Sequence, residues 1–167
     1  MFEDIKNFIL ARFRTIYIFE AKRNNKKIKY KNFRLVKYDS FNLIKNAELK
    51  NYLIREKKLG RFKLQQILLV LYYKKVFVCV GWMYEGSNWH ISEINKKINI
   101  KNKLLLFDFF TKKKFRNKGY YQKILTLIKN FKTKKIFLIY CLKNNFASKT
   151  GILNSKFKLK GELSFYV

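Results

Sequence analysis

The 167-residue chain carries 39 Lys and Arg against 10 Asp and Glu, a formal net charge of +29, with 49% hydrophobic residues and no proline. That apolar content excludes a disordered chain, because it offsets the entropy of ordering, and the length suits one domain over 1–167 with one core. The longest apolar run is interrupted by Lys74 and Lys75, so no segment is expected to span a bilayer.

The acidic start, MFEDIKNFIL, lacks the positive charge of a secretory leader. Cys79 and Cys141 both lie in apolar runs and read as buried free thiols of a reducing cytoplasm, with no disulfide and no metal site expected. A surface this cationic attracts nucleic acid, anionic lipid and phosphorylated small molecules. Yet the lysines are spread along the whole chain beside many Asn and Ile, the residue choice of an AT-rich genome. Compositional drift therefore accounts for most of the charge, and nucleic acid is not the expected partner.

In chain order, Phe2, Ile5, Phe8, Ile9 and Phe13 recur at helical spacing and predict an amphipathic helix over 1–15. TIYIFEA is a β-branched and aromatic strand, followed by a polar loop. FRLVKY is a second strand, after which Asp39 or Ser40 is expected to cap a helix running to about Tyr52. A poorer helical stretch ends at Gly60. LQQILLVLYY and VFVCVGWMYE then read as two antiparallel strands joined tightly at Lys74-Lys75. SNWHISEINKKINI can supply another strand before KLLLFDFFT. A helix over 119–131 buries Ile124, Leu127, Ile128 and Phe131. KKIFLIYCL, apolar nearly throughout, has the pattern of a central strand covered on both faces. A weak helix, a turn and a closing strand complete an α/β chain of α+β type.

The sharpest feature is Arg116-Asn117-Lys118-Gly119-Tyr120-Tyr121, between a strand and a helix and ringed by Lys112, Lys113 and Lys114. A helix start offers unpaired N–H groups and partial positive charge, and glycine lets the backbone close on an anion. An ordinary basic turn has the same composition. The segment resembles the acyl-CoA-binding signature of the GNAT acyltransferase superfamily, [Q/R]-x-x-G-x-[G/A], with Arg116 first and Gly119 as the glycine; Tyr121 stands where Gly or Ala is usual. FDFFT…FRNKGYY is most similar to members linked to bacterial surface-polysaccharide gene clusters. Downstream, Asn145, Ser148 and Phe157 match the N-x-x-[A/S] helix that follows the next strand, while Lys156 and Ile152 replace a usual glycine and a usual tyrosine.

The resemblance implies a GNAT-like fold: a mixed, mostly antiparallel sheet with splayed strands flanked by helices. It implies acetyl-CoA or another acyl-CoA as co-substrate, with no metal, held by Phe109, Phe110, Thr111, Arg116, Asn117, Lys118, Gly119, Tyr120, Tyr121, Asn145 and Ser148. The chemistry would be direct attack of an amine on the thioester, with backbone N–H of 109–111 facing the oxyanion. The implied acceptor is an amino sugar or sugar nucleotide. An amino acid or a protein amine, or a non-catalytic basic module for nucleic acid or membrane surfaces, stands as the alternative. The chain is expected to act as a monomer or homodimer.

Three residues are candidates for the base. Asp108, a carboxylate inside an apolar strand, is either paired or used. Glu93 lies on a neighbouring segment, with a salt bridge to lysine as the rival role. His90 is the sole histidine and titrates in a useful range, although a surface role suits it equally. Tyr120, Tyr121 or Tyr140 can serve as the acid. Tyr84 and Trp89, flanking a turn, are substrate-pocket candidates or simple packing.

Overall fold

In the computed structural model the described residues are 14–165. The expected N-terminal helix therefore falls outside them, except that Thr15 already belongs to the first strand. That strand, β1 (Thr15–Ala21), is followed by β2 (Phe33–Tyr38), helix α1 (Ala47–Arg55) and the one-turn helix α2 (Gly60–Lys63). Next come β3 (Ile67–Tyr73), β4 (Val76–Glu85), β5 (Asn88–Ile91), β6 (Lys96–Asn99) and β7 (Lys103–Thr111). Helix α3 (Tyr120–Ile128), β8 (Ile136–Leu142), helix α4 (Phe146–Asn154) and β9 (Lys158–Ser164) complete the chain.

Seven strands form one sheet in the order β2-β3-β4-β7-β8-β1-β9, and β5 and β6 form a separate hairpin. Every pairing is antiparallel except β7 with β8. The mixed, mostly antiparallel sheet flanked by helices is the expected one. The Lys74-Lys75 turn is also as expected, both residues taking left-handed φ of 46° and 73°, the backbone that a two-residue hairpin needs.

Three helix boundaries differ from the reading of the sequence, the simplest being that the helix expected to reach 131 ends at Ile128. Ser40 caps only a single 3-10 turn, Phe41–Leu43, because the chain becomes extended at the buried Ile44. The helix restarts at Ala47, where the Asn46 side chain accepts the Leu49 amide at 2.8 Å. Gly60 opens α2 rather than ending a helix; the preceding turn is made by Lys57 at φ 52°.

The sheet is covered on both faces, since alternate residues of each strand point to opposite sides. On one face α3 lays Ile124, Leu125 and Ile128 against Leu69, Leu104, Leu106 and Ile139. On the other, α1 lays Leu49, Tyr52 and Leu53 against Leu68, Trp82, Leu105 and Leu138, with Trp89 of the hairpin beside them. No helix of the described residues is long and apolar enough to cross a membrane.

Candidate active site

The parallel pair β7 and β8 is in register only from Lys103↔Ile136 to Leu106↔Ile139. Beyond that point the two strands part. β7 stays on β4 up to Thr111↔Cys79, while β8 stays on β1 up to Leu142↔Ile16. Each wall of the gap is thus braced from outside, which lets the gap exist without stripping the strands of partners.

The parting coincides with a β-bulge. The β4–β7 register shifts between Val80 and Trp82, and Asp108 takes φ 49°. The bulge breaks the alternation, so Phe107 faces the α1 side and Phe109 the α3 side. Gly81 lies opposite it, and a Cβ there would come within 2.2 Å of the Phe109 ring. The Lys112 amide donates to the Val78 carbonyl at 3.1 Å. By strand alternation the amides of Thr111 and Phe109 then point away from β4, across the gap.

A cavity of about 1320 Å³ runs through this opening. At its α3 end it is lined by Arg116, Asn117, Gly119, Tyr120 and Tyr121, and along α4 by Asn145, Ser148 and Gly151. Asn117 and Gly119 have left-handed φ of 58° and 69°. The first bond of α3 is from the Lys123 amide to the Gly119 carbonyl at 3.0 Å. Among the described residues, the amides of 117–122 donate to no acceptor. They are the unpaired N–H groups of a helix start, and all of these residues but Lys118 line the cavity. Arg116 Nε is tied to the Thr111 carbonyl at 3.2 Å, which orders the loop against β7. Lys118 is the member of the expected set that does not line the cavity; its ammonium lies over the Phe115 ring.

Tyr121, at the position where a small residue is usual, is accommodated by a second glycine. A Cβ on Gly151 would lie 2.5 Å from the Tyr121 ring. Its hydroxyl pairs with Ser148 at 3.2 Å, and burial raises its pKa. Asn145 accepts the Ser148 amide at 3.0 Å as the N-cap of α4. Both residues of the N-x-x-S pattern therefore shape the α4 end of the cavity. Phe110 turns its ring to the α1 side, stacked on Tyr52 at 4.9 Å.

At the other end the cavity meets Arg61, Gln66, Trp89, His90, Glu93 and Tyr140. Asp108 lines the cavity but is committed: its Oδ2 lies 2.5 Å from Lys58 Nζ and 2.7 Å from Arg61 Nη1, the latter an ion pair without hydrogen-bond alignment. Of its two expected roles, pairing is the one the geometry fills. Glu93 is half-buried in the 3-10 turn Ser92–Ile94, receives a hydrogen bond from the Ser92 hydroxyl at 3.3 Å, and makes no ion pair among the described residues. His90 is exposed and its Nε2 lies 3.0 Å from Asn95 Oδ1, closing the β5–β6 turn. Trp89 packs on Phe107 at 4.5 Å and on Tyr84 at 5.4 Å. Tyr84 itself stands behind Trp89 and does not reach the cavity, because its hydroxyl end covers Gly86.

Tyr140 is the first β8 residue past the last β7 partner, at the apex of the gap. Its hydroxyl accepts from Trp89 Nε1 at 3.3 Å, leaving its own proton without an acceptor among the described residues. Burial first, and the nearby Glu93 charge second, push it up to about 12. The sequence offered it as one of three tyrosines; only its place in the pairing register singles it out. Arg61, Lys58 and Gln66 carried no signal at all. Gly81 did carry one, since a lone glycine inside a strand marks a bulge or a close approach. Among the described residues no three His, Cys, Asp or Glu side chains gather to hold a metal ion.

No family model matches the sequence, and no curated protein matches it. The fold has solved relatives. An acetyltransferase of the GNAT family from Colwellia psychrerythraea superposes with TM-score 0.54 at 12% identity, over 89% of this chain and 53% of that one. A conserved protein of unknown function from Staphylococcus epidermidis ATCC 12228 superposes with TM-score 0.57 at 10% identity, over 89% of this chain and 59% of that one. The chain thus spans little more than half the length of either. At these identities the likeness shows the fold: a GNAT-like α+β fold.

Proposed function

We propose that the chain is an acyl-CoA-dependent N-acyltransferase, with acetyl-CoA as donor and an amino sugar as acceptor. The observation that carries this is the pairing of free amides at the start of α3 with the gap between β7 and β8, along one continuous cavity. The α3 amides and Arg116 would hold the pyrophosphate, the gap would take the pantetheine arm, and the amides of Thr111 and Phe109 would face the thioester oxygen.

Residue roles follow from what is uncommitted among the described residues. Glu93, with no cation of that set on it, accepts a proton from the incoming ammonium. The free amine attacks the carbonyl carbon, and the strand amides meet the oxyanion as its charge grows. The C–S bond breaks as Tyr140 protonates the departing sulfur, and the surplus proton on the attacking nitrogen passes to the Tyr140 oxygen, yielding amide, CoA thiol and the one proton held by Glu93. Asp108 has the supporting role of fixing Lys58 and Arg61. The sugar reading rests on the motif resemblance and on the Trp89 ring at the acceptor end, a surface on which a sugar face can stack.

Thermal denaturation with acetyl-CoA is the test. A ligand at about 100 times its Kd stabilises the folded state by about 2.7 kcal/mol, equivalent to a Tm rise of roughly 5–10 °C for a chain of this size. No rise at millimolar acetyl-CoA removes the proposal. Release from heparin only at high salt, together with no response to acetyl-CoA, favours a basic binding module instead.

A further inference from the structure

Arg61, Asp108 and Glu93 all line the Trp89 end of the cavity, and their charges do not cancel group by group. Lys58 and Arg61 share the one carboxylate of Asp108, at 2.5 and 2.7 Å, so that cluster keeps a surplus positive charge. Glu93 makes no ion pair among the described residues and keeps a negative charge of its own. Arg61 is held in a way that presents its share of the surplus. Its Nη1 is buried against Asp108, and the guanidinium carbon lies 5.2 Å from both the Trp82 and Phe107 ring centroids. The side chain is still 28% exposed, none of it at Nη1. Among the described residues the guanidinium donates no hydrogen bond, the Asp108 contact being an ion pair without that alignment. The edge left over is the fork of Nε and Nη2, whose parallel N–H groups fit two oxygens at once.

From this we infer that the acceptor is an amine that also bears an anionic group, a phosphate or a carboxylate, and that Arg61 is the residue that binds that group. The inference rests on the acyltransfer reading and narrows its acceptor. Each charge of such a molecule finds its opposite in the same opening: the ammonium goes to Glu93, and the anion to Arg61. Burial does most to raise the Tyr140 pKa, the Glu93 and Asp108 charges raise it further, and the Arg61 charge lowers it. All three charges therefore stand around the hydroxyl at the apex of the gap. A guanidinium already fixed by Asp108 and two rings loses little side-chain freedom when it binds, which favours affinity. Because it is half withdrawn from solvent, its charge is screened less than that of the exposed lysines. An uncharged amine would displace water from this cation and give it no counter-charge in return.

The test uses the full chain and probes in matched sets. A 2-amino-2-deoxyhexose is compared with its 6-phosphate and with its nucleoside diphosphate conjugate, and an α-amino acid with its own amide. Phosphate monoester, diphosphate and carboxylate are thereby told apart. Calorimetry with acetyl-CoA alone comes first; absence of binding overturns the acyltransfer reading and this inference with it. With CoA saturating, at least one anionic probe should bind about tenfold or more tighter than its uncharged match. Equal or reversed preference in both sets, or binding of no probe, overturns the inference and leaves the cofactor reading standing. Arg61→Gln should cut the preference to about twofold or less, and Arg61→Lys, which keeps the charge but loses the fork, should keep part of it. A preference undiminished in Arg61→Gln, or a loss shared equally by charged and uncharged probes, overturns the assignment to Arg61. Should the variants fail to fold, salt decides in the unmodified chain. The preference should shrink several-fold between about 0.1 and about 1 M salt, and a preference that salt does not move overturns recognition by charge.

Discussion

The two ends of the cavity solve different electrostatic problems with the same sheet. At the α3 end the backbone is what is on offer: left-handed Asn117 and Gly119 present amides that no acceptor among the described residues uses, and the cations around them are exposed. At the Trp89 end side chains line the cavity, and Lys58 and Arg61 share the single carboxylate of Asp108. A surplus of lysine is therefore no guide to where anions go. What matters is whether a donor is free, buried and aimed.

The comparison breaks hardest at Gly119. Gly119→Glu sets a negative charge and a side chain at φ 69° in front of the amides, so acetyl-CoA affinity should fall by on the order of 100-fold in calorimetry. The left-handed backbone adds about 1–2 kcal/mol of strain, a Tm loss of a few degrees. Undiminished affinity means that the loop is not the phosphate site.

Tyr140→Phe sharpens the other end. On the proposed role of Tyr140 as general acid, kcat should fall by about 100-fold or more while the KM for acetyl-CoA holds. Because the phenol is raised to about 12, it stays protonated through ordinary alkaline pH, and kcat should show no falling limb from this group below about pH 11. The same shift fixes a stability trend. The unfolded phenol deprotonates near 10, so the contribution is intact below 10 and is lost as pH climbs toward 12. Alkaline melting curves of Tyr140→Phe should lack that part of the decline.

Gly81→Ala tests the joint between the ends. With a Cβ 2.2 Å from the Phe109 ring, overpacking of about 1–3 kcal/mol is expected, with a Tm loss of several degrees and parallel rises in both KM values. Salt gives the mildest separation. Raising it from about 0.1 to about 1 M, which shortens the Debye length from about 10 to about 3 Å, should raise the KM for acetyl-CoA several-fold and barely move that of an uncharged acceptor.

How far the sequence could be read follows from the kind of information each feature needs. The alternation of β3 and β4, the unbroken apolar β8 and the glycine at the start of α3 are local patterns, and all were legible. Asp108 was recognisable as anomalous, but its partners Lys58 and Arg61 come from a turn far away in the chain, among lysines that all look alike. The β1 strand was seen as a strand, while its place between β8 and β9 was not, because pairing across the chain leaves no trace in local periodicity. The helix start at Ala47 was misplaced because the burial of Ile44 overrode the local capping signal of Ser40, and Gly60, read as a helix end, opens a one-turn helix after left-handed Lys57.

That position of β1 has a consequence for biogenesis. β1 must wait for β8 and β9, made far later in the chain, before either of its edges is satisfied, so during translation it remains a bare, sticky ribbon. One bank of the gap between β7 and β8 is held by this latecomer pairing. A nascent chain would therefore collapse most of its apolar interior before it can hold a ligand, and stalled or shortened products should be compact, aggregation-prone and unable to bind.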